Sequence, residues 1–505
     1  MILSRYTLKN IDADTVTVPD ESLFELPEKV LQFGTGVLLR GLPCYFIDKA
    51  NRNGIFNGRI VAVELNRQTD ISVFEKQDSL YTHCIQDIKD GEKFKETIIN
   101  SSISRVLNAS QQWNEVLDCA HSIDIQIIIS NTGETGIRLI PEDIRYHAPK
   151  SYPGKLLSFL YERFKAFEGS AHSGMVIVPT ELVSNNGTKL ESIVLELAHL
   201  NGLEEEFIEW LENHNYFCNS LVDRIIPGKP ENAFLTSLED ELGYKDNLLI
   251  TSEDHALWTI EGDDHVKEIL SFEQADHRAF IKPDIDLYRE LKLRLLNGTH
   301  TLACGVAFLA GFITVKEAME NKAISSYITQ LTVNEISHAI PYNVESSTIH
   351  DFVSNVLHRF RNPYLRHSWL SIAKNYSAKM KHRCIPVVAT HYQRSDSVPE
   401  AMALGFAAYI CFMKAIAKKN EDYYGEFNGE SYLIQDEQAD TFYKRWSGLT
   451  VSSLTQVVLS DSYWGIDLVS LPGFKQSVFE KLTLIINNGM EEALESIPLK
   501  KIKAA

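Results

Sequence analysis

Five short apolar runs recur through the first half of the chain, and helical patterns separate them. They are EKVLQFGTG, GRIVAVEL, IDIQIIISNTGETG, GMVIVPTELVSNNG and NLLITSEDHALWTIEG. A strand that is buried on both faces has a continuous apolar sequence, and parallel strands need a long crossover connection, usually a helix. The alternation predicts an α/β domain built on a doubly wound parallel sheet of the Rossmann type, with VLLRGLPCYFIDKANRNG as one helix after the first strand.

Helical periodicity dominates the chain from about residue 285, and strand-like runs largely disappear there. The segments with this periodicity are DIDLYRELKLRLLNGTHTLACGVAFLAG, ESSTIHDFVSNVLHRF, SWLSIAKNYSAKM, EAMALGFAAYICFMKAIAKK and SVFEKLTLIINNGMEEALES. With 505 residues the chain is too long for one ordinary hydrophobic core. We therefore predict two domains, a Rossmann-like domain over residues 1–283 and a mainly α-helical domain over residues 284–505.

Charge and cysteine usage narrow the class of function. The chain carries 49 Lys and Arg against 68 Asp and Glu, a net charge of −19, which disfavours nucleic acid and anionic membrane surfaces as partners. The seven cysteines are scattered and form no C-x-x-C pair, so neither a disulfide framework nor a structural zinc site is expected. The first ten residues lack an apolar signal core, and the longest apolar stretch, from residue 401, is shorter than a bilayer span. These features favour a cytoplasmic protein with a small-molecule partner and leave its oligomeric state open.

A turn that contains two glycines follows the first predicted strand. In QFGTGVLLRG, Gly34 and Gly36 lie between that strand and the next helix, which is the context in which a G-x-G pair binds the pyrophosphate of a dinucleotide. The glycines let the backbone turn tightly and approach the phosphates, and the start of the helix supplies N–H groups. Leu39 occupies the place of the third glycine of the usual fingerprint, so a purely structural turn is the alternative. Arg40 is a candidate phosphate contact, or else it covers a solvated helix face.

Polar residues at the ends of two further strands extend this predicted cofactor site. Glu64 ends the second strand, where a dinucleotide-binding domain places the acid that binds the ribose hydroxyls. Its presence favours NAD(H) over NADP(H), although Arg67 is an alternative partner for a 2′-phosphate. Asn131 and Thr132 follow the strand IDIQIIIS, and loops at the carboxyl ends of parallel strands line the ligand crevice. These two residues are cofactor-side candidates, or else members of a polar helix-capping turn.

Three polar residues stand in an otherwise apolar helical segment, ELKLRLLNGTH. Lys292, Asn297 and His300 fan over one broad face of an α-helix at about 100° per residue. An amine, an amide and an imidazole together suit metal-free chemistry at a carbonyl or alcohol: the lysine supplies a proton, the amide polarises the oxygen and the imidazole holds a neighbouring hydroxyl. Taken singly, each residue has a plainer explanation, namely a snorkelling lysine, an Asn-Gly turn and a core histidine.

The pattern K-x4-N-x2-H at the start of a helical domain, after an N-terminal G-x-G-x-x-x-R, resembles the mannitol dehydrogenase family of polyol-specific long-chain dehydrogenases. LVDRIIPG, TSEDHALWTIEG and HRFRNPYL agree with the same family. The resemblance runs from about residue 28 to beyond residue 400. It implies a metal-independent enzyme whose Rossmann-type domain binds the nicotinamide cofactor NAD(H) and whose α-helical domain carries the catalytic groups.

The resemblance assigns roles residue by residue. Lys292 matches the family's general acid/base, Asn297 matches its carbonyl-polarising amide, and His300 matches its substrate-orienting imidazole. Lys379, in SAKM, matches a lysine that contacts the substrate. The catalytic residues implied by the resemblance are therefore the three polar residues that the helical segment already singled out.

Two departures from the family pattern bear on the substrate. Glu181 and Leu182 stand where the sugar-alcohol enzymes have an Asp-Asn pair, and Asn186 is the candidate to replace the lost amide. Arg289 stands where those enzymes have a glutamate three residues before the catalytic lysine. That arginine places a cation near the substrate, which suits the carboxylate of a sugar acid.

Other segments are most similar to the branch of the family that acts on hexuronates. They include SNTGETGI, SYPGKLLSFLYERF and FCNSLVDRI. The reaction implied is the NADH-dependent reduction of tagaturonate to altronate, with hydride transfer to the keto carbon and protonation by Lys292. The alternatives are a fructuronate/mannonate or mannitol dehydrogenase on the same fold, and a nucleotide-binding sensor without turnover.

Overall fold

A computed structural model of the chain describes residues 1–89, 92–133, 135–145, 147–230, 232–365 and 367–498. The chain divides into two compact units, Met1–Ile285 and Asp286–Ala505. The N-terminal unit is an α/β domain and the C-terminal unit is mainly helical, which confirms the predicted fold class. Each unit has its own hydrophobic core.

A six-stranded parallel sheet forms the centre of the N-terminal unit. The strands of this unit are β1 (Glu28–Phe33), β2 (Arg59–Glu64), β3 (Tyr81–Lys89), β4 (Glu92–Asn100), β5 (Ile103–Asn108), β6 (Ile127–Ser130), β7 (Val176–Pro179), β8 (Tyr216–Phe217), β9 (Ser220–Asp223), β10 (Ile250–Ser252), β11 (Leu257–Glu261) and β12 (Ala279–Lys282). The parallel sheet has the order β5-β2-β1-β6-β7-β8. All neighbouring pairs in it run parallel, as expected for strands joined by helical crossovers.

Alternate residues of the central strands pack on opposite faces of this sheet. Val30 of β1 belongs to one buried cluster, and Leu31 and Phe33 belong to the other. The helices of this unit are α1 (Val37–Gly41), α2 (Pro43–Arg52), α3 (Ser72–Lys76), α4 (Trp113–Asp118), α5 (Tyr152–Ala166), α6 (Asn186–Leu200), α7 (Glu205–His214), α8 (Asn232–Leu242) and α9 (Asp264–Ile269). Since α2 contributes to the first cluster and α5 and α6 to the second, the sheet is covered on both faces.

Two smaller sheets hold the remaining strands of this unit, and here the sequence-based prediction was wrong. NLLITSEDHALWTIEG supplies β10 and β11, but β10 pairs with β3, and β11 pairs with β9 and β12. Neither strand joins the parallel sheet. The antiparallel pair of β3 and β4 was not predicted at all. An apolar run identifies a buried strand, but it does not identify the strand with which it pairs.

The single helix predicted over VLLRGLPCYFIDKANRNG is in fact two helices. Helix α1 ends at Gly41, Leu42 leaves the helical region with φ −129° and ψ −77°, and α2 begins at Pro43. Proline lacks an N–H group and its ring clashes with the preceding turn, so it begins a helix more readily than it continues one. The proline therefore keeps α1 to a short helix directly after the glycine turn.

The C-terminal unit consists of helices and one small sheet. Its α-helices are α10 (Asp286–Leu291), α11 (Thr299–Leu309), α12 (Val315–Glu320), α13 (Lys322–Gln330), α14 (Ser346–Phe360), α15 (Trp369–Ile372), α16 (Tyr376–Lys379), α17 (Ile385–Arg394), α18 (Glu400–Phe412), α19 (Ala439–Gly448), α20 (Val451–Leu459), α21 (Phe474–Asn488) and α22 (Met490–Glu495). Three antiparallel strands that were not predicted form the sheet, β13 (Ala417–Lys419), β14 (Asp422–Phe427) and β15 (Glu430–Ile434).

Helices α11 and α18 form the centre of this unit and pack at very close range. A Cβ atom at Gly305 would lie 2.9 Å from the backbone of Ala408, and one at Gly405 would lie 2.9 Å from the carbonyl oxygen of Leu302. Two glycines thus let the two most apolar helices meet backbone to backbone. Within the described part of the chain, no helix is both long and apolar enough to cross a membrane.

Candidate active site

The turn between β1 and α1 requires glycine for its own geometry at only one of its two glycine positions. Gly34 has φ +119°, and a Cβ atom there would lie 2.8 Å from Leu39 Cδ1 and 3.1 Å from the carbonyl oxygen of Asn131. A side chain at this position would be strained and would clash. A Cβ atom at Gly36 would meet no atom of the described residues within 4 Å. Close approach of a phosphate to the backbone is the constraint that a dinucleotide would add at Gly36.

Glu64 lies beside this turn, at the carboxyl end of β2. Its buried carboxylate accepts a hydrogen bond from Thr35 Oγ1 on Oε2 and another from the backbone N–H of Asn66 on Oε1, at 2.7 Å. The N–H of Gly34 donates to the carbonyl oxygen of Val63 at 2.8 Å, which ties the turn to the end of β2. The structure therefore brings the predicted ribose acid next to the predicted pyrophosphate turn.

Arg40 is buried, so the alternative that it covers a solvated helix face is wrong. Its Nε donates to the carbonyl oxygen of Thr35 at 3.1 Å, and its Nη1 donates to that of Leu248. The guanidinium also lies over the ring of Tyr81, 5.3 Å from its centroid. Arg40 thus bonds the glycine turn to the carbonyl oxygen of Leu248. Its contact with a phosphate stays a prediction.

The loop after β6 is anchored by Glu181. The N–H and Oγ1 of Thr132 both donate to Glu181 Oε1 at 2.9 Å, and Ser130 Oγ donates to Oε2 at 3.1 Å. Asn131 Nδ2 donates to the carbonyl oxygen and the hydroxyl of Thr180, at 3.0 Å each. Burial raises the pKa of Glu181, and the hydrogen bonds from Thr132 and Ser130 oppose that rise. Glu181, where the chain departs from the Asp-Asn pair, therefore joins the carboxyl ends of β6 and β7.

Asn186 does not offer the amide that the departure at Glu181 removes. Its side chain is 1% exposed, and Nδ2 donates to the carbonyl oxygens of Pro179, Glu181 and Ser220 at 2.9 to 3.2 Å. Its Oδ1 accepts from two backbone N–H groups. Leu182, by contrast, is 61% exposed. Because the backbone uses both ends of the Asn186 amide, we do not carry this residue into the proposed substrate site.

The predicted cofactor residues share one edge of the parallel sheet. Strands β2, β1 and β6 are neighbours and run parallel, so their carboxyl ends lie side by side. That edge carries Gly34, Gly36, Glu64, Asn131 and Thr132. A backbone open to phosphates beside a buried carboxylate for ribose hydroxyls fits a nicotinamide dinucleotide. Among the described residues, no group of three or more His, Cys, Asp or Glu side chains is arranged to hold a metal ion.

The segment that carries Lys292 and Asn297 is not the α-helix that the sequence predicted. Helix α10 runs into a π-helix, π1 (Lys292–Gly298), which runs into α11. A π-helix bonds residue i to residue i+5, so Lys292 and Asn297 lie one turn apart on nearly the same side, closer than about 100° per residue would place them. His300 follows in the first turn of α11 and is buried, whereas Lys292 and Asn297 are half-buried. Such π turns are rare, and they concentrate at functional sites.

Two further π-helices pack against π1. They are π2 (Leu331–Ile336) and π3 (Met380–Cys384). The hydroxyls of Thr299, directly after π1, and Thr332 of π2 lie 3.2 Å apart. Three irregular helical segments from distant parts of the sequence therefore meet where the predicted catalytic residues begin.

Arg294 joins π1 to π3. Its Nη1 donates to the carbonyl oxygens of His382 and Arg383, the latter at 3.0 Å. Its Nε donates to Glu290 at 2.9 Å, so the buried guanidinium is also neutralised. Arg294 can reach these two carbonyl oxygens only if its side of π1 faces π3. The bonds therefore fix the rotation of π1 relative to π3.

Aromatic rings hold the imidazole of His300 in place. The ring stacks on Phe360 with centroids 4.0 Å apart and an interplanar angle of 14°. His367 meets it edge-on at 5.2 Å and 80°, and Trp369 at 6.3 Å and 77°. The plane of the imidazole is therefore set by packing before any substrate binds.

Lys379 belongs to the same cluster of side chains. Its Nζ donates to the carbonyl oxygen of Ile372 at 2.9 Å. Burial lowers the pKa of His367, and the positive charges of Lys379 and Arg359 lower it further. Lys379 is thus bonded to α15, the short helix whose Trp369 contacts His300. Reasoning from the sequence missed Arg359, which lies in the segment HRFRNPYL already quoted for the family resemblance, and His367, which follows that segment by two residues.

Arg289 forms an ion pair within its own helix. Its Nη1 contacts Asp286, one turn earlier in α10, where the carboxylate side chain is 51% exposed. The cation that the sequence placed near the substrate is thus neutralised locally, and a contact between Arg289 and a substrate carboxylate stays a prediction that requires this pair to open.

Each of the two units matches the model of a known protein domain. Residues 28–274 match the Mannitol dehydrogenase Rossmann domain, and residues 284–486 match the Mannitol dehydrogenase C-terminal domain. The chain is 36% identical over 476 residues to the Altronate oxidoreductase of Bacillus subtilis, covering 93% of this chain and 95% of that protein. It is 34% identical over 483 residues to the Altronate oxidoreductase of Halalkalibacterium halodurans, covering 94% of each.

Solved structures share the fold of the whole chain. Pseudomonas fluorescens mannitol 2-dehydrogenase, in a ternary complex with NAD and D-mannitol, superposes with a TM-score of 0.73 at 22% identity, covering 98% of this chain and 99% of that one. A substrate-free D-sorbitol dehydrogenase superposes with a TM-score of 0.81 at 20% identity, covering 98% and 100%. The two family models carry the assignment: the chain belongs to the mannitol dehydrogenase family, as its motifs predicted, and is an NAD-dependent oxidoreductase acting on CH–OH groups.

Proposed function

We propose that this enzyme interconverts tagaturonate and altronate with NAD(H), consuming NADH and one proton when the keto group is reduced. The observation that carries the proposal is the match to proteins named Altronate oxidoreductase, at 34 to 36% identity over more than nine-tenths of the chain. The arrangement of amine, amide and imidazole on π1 and α11 supports the chemistry, because each group has a distinct task at a carbonyl oxygen or its neighbour.

Lys292 and Asn297 act on the oxygen of the reacting carbon. Bound NADH supplies the hydride that the keto carbon receives, and negative charge then develops on the former carbonyl oxygen. The Lys292 ammonium donates its proton to that oxygen, and the Asn297 amide donates a hydrogen bond to it. The π turn sets the two side chains on nearly the same side of the helix, so both can address one atom. In the reverse direction the Lys292 amine accepts the alcohol proton.

His300 orients the hydroxyl on the carbon next to the reacting one. Its ring is fixed between Phe360 and His367, so the direction in which its nitrogens point is set in advance. A hydroxyl bound there holds the sugar in one orientation, which lowers the entropy lost on reaching the transition state.

The substrate carboxylate is bound by Lys379, with Arg359 in the same cluster and Arg289 as the alternative. A hydrogen bond to a charged group contributes about 1.5–3 kcal/mol, which corresponds to about ten- to hundredfold in affinity. At Lys379 the carboxylate of a hexuronate would accept a charge-assisted hydrogen bond, which is stronger than the bond that a polyol hydroxyl accepts there. Arg289 is the weaker candidate because Asp286 already neutralises it.

A substrate panel tests the proposal. Tagaturonate, fructuronate and fructose are each offered with NADH and with NADPH, and the loss of the reduced nicotinamide is followed by absorbance. The highest kcat/KM is expected for tagaturonate with NADH. A clear preference for fructuronate or fructose would reassign the enzyme to a sister activity on the same fold. Binding of NADH without turnover of any of these ketoses would identify a sensor instead.

A further inference from the structure

Thr35, the residue between the two glycines of the turn, is bonded to the acid at the end of β2. Its hydroxyl donates to Glu64 Oε2, and the backbone N–H of Asn66 donates to Glu64 Oε1 at 2.7 Å. The two donors hold different oxygens of one buried carboxylate. A carboxylate held at both oxygens cannot rotate about its terminal bond without losing one of these bonds.

We propose that Thr35 is a positioning residue that sets the preference for NAD(H) over NADP(H) by holding the carboxylate of Glu64. An ionised carboxylate has about four lone-pair sites, and Thr35 and Asn66 use one on each oxygen. The described residues leave one site available on each oxygen, which matches the two adjacent hydroxyls of a ribose. A ribose that carries a 2′-phosphate would instead meet a fixed negative charge that cannot turn away.

The backbone of Thr35 is itself held firmly. Its carbonyl oxygen accepts from Arg40 Nε at 3.1 Å, and the Arg40 guanidinium is fixed in turn by the carbonyl oxygen of Leu248. Gly34, directly before Thr35, has φ +119° and is bonded to the end of β2. Since both sides of Thr35 are fixed, the position of its hydroxyl is determined by the fold. Arg40 contributes to cofactor recognition through this chain of contacts.

The counterpart of the held carboxylate is Arg67, which is exposed on the loop three residues after Glu64. If the Glu64 side chain is released, the negative charge no longer has to face the 2′ position, and Arg67 becomes the nearest cation in sequence for a 2′-phosphate. Loss of the Thr35 hydroxyl is therefore expected to weaken NADH binding and to relieve the exclusion of NADPH together.

The test compares Thr35→Val with Thr35→Ser. Valine keeps the shape of threonine without its hydroxyl, and serine keeps the hydroxyl. The dissociation constants of NADH and NADPH are measured by titration calorimetry in the absence of sugar. The ratio of the NADPH constant to the NADH constant is expected to fall about tenfold or more in Thr35→Val, since the bond removed has a charged acceptor. It is expected to stay at the wild-type value in Thr35→Ser.

Two further variants separate this role from a purely structural one. Glu64→Gln removes the charge and leaves an acceptor oxygen for only one of the two donors. It must therefore lower the ratio at least as far as Thr35→Val does. In a Glu64→Ala background, adding Thr35→Val must leave the ratio unchanged, because Thr35 acts through Glu64. Equal weakening of both dinucleotides in Thr35→Val, or an unchanged ratio, overturns the proposal. No sugar enters these measurements, so their outcome is independent of whether tagaturonate is the substrate.

Discussion

Replacement of Arg294 by methionine tests whether π1 and π3 are stabilised as one unit. The buried guanidinium donates to the carbonyl oxygens of His382 and Arg383 and pairs with Glu290. Methionine keeps most of the apolar length of the side chain and removes the donors. A hydrogen bond from a charged group contributes about 1.5–3 kcal/mol, and since one Nη atom serves both carbonyls we expect a loss of about 2–4 kcal/mol in total. For a unit of this size, that loss lowers Tm by about 4–16 °C.

The measurement is thermal unfolding of the full chain followed by circular dichroism, together with kcat on the preferred ketose. Turnover is expected to fall as well, because π1 carries Lys292 and Asn297. Arg289→Met is the matched control for stability. It makes the same substitution on the same continuous helix, but its partner Asp286 is half exposed, and such ion pairs contribute less than about 1 kcal/mol. Equal Tm shifts in the two variants would refute the reasoning.

Three other predictions test the site residue by residue. Lys292→Met should lose about 10²-fold or more in kcat, whereas Lys322→Met, at an exposed position, should not; near-wild-type turnover of the first variant would remove Lys292 from the mechanism. Gly34→Ala should lose about 1–3 kcal/mol of stability because of its positive φ, and Gly36→Ala should keep its Tm but bind NADH more weakly in titration calorimetry; the reverse order would contradict the geometry of the turn. Because the pKa of His367 is lowered in the folded chain, its imidazole binds a proton more readily in the unfolded chain. The free energy of unfolding should therefore fall as the pH drops below about 6.5. Urea unfolding of His367→Gln should show a shallower fall, and an identical pH profile would exclude His367 as a cause.

The parallel sheet could be predicted from the sequence because its strands are buried on both faces. In β1, Val30 and Leu31 point to opposite sides and are both buried, so the strand appears in the sequence as an unbroken apolar run. The partner of a strand has no such local signal. Strand β10 has the same apolar character, and only its pairing with β3, far away in the chain, removes it from the parallel sheet. The break at Pro43, by contrast, could have been read from the sequence.

The sequence predicted which chemical groups the candidate site contains better than it predicted how they are arranged. Lys292, Asn297 and His300 stood out as polar residues in an apolar segment, but the π turn between them has no local pattern that periodicity detects. Asn186 has the right functional group to replace a lost amide, yet the backbone around it uses that amide completely. His367 was missed because its importance comes from its contact with His300. The local sequence of neither residue indicates that the two segments meet.

The π turn also makes the length of the segment from α10 to α11 a functional quantity. A loop closed from i to i+5 holds one residue more than the i to i+4 loop of an α-helix. Deletion of one residue, such as Leu293, would let the segment relax into a continuous α-helix with its chemical groups intact. His300 would then keep nearly its present angle to Lys292, because seven steps of about 100° cover almost the same rotation as the present eight steps with their wider turn. A deletion within α11, where no wider turn absorbs it, would instead rotate everything that follows by about 100°, so the chain should tolerate the loss of a residue better in π1 than in α11.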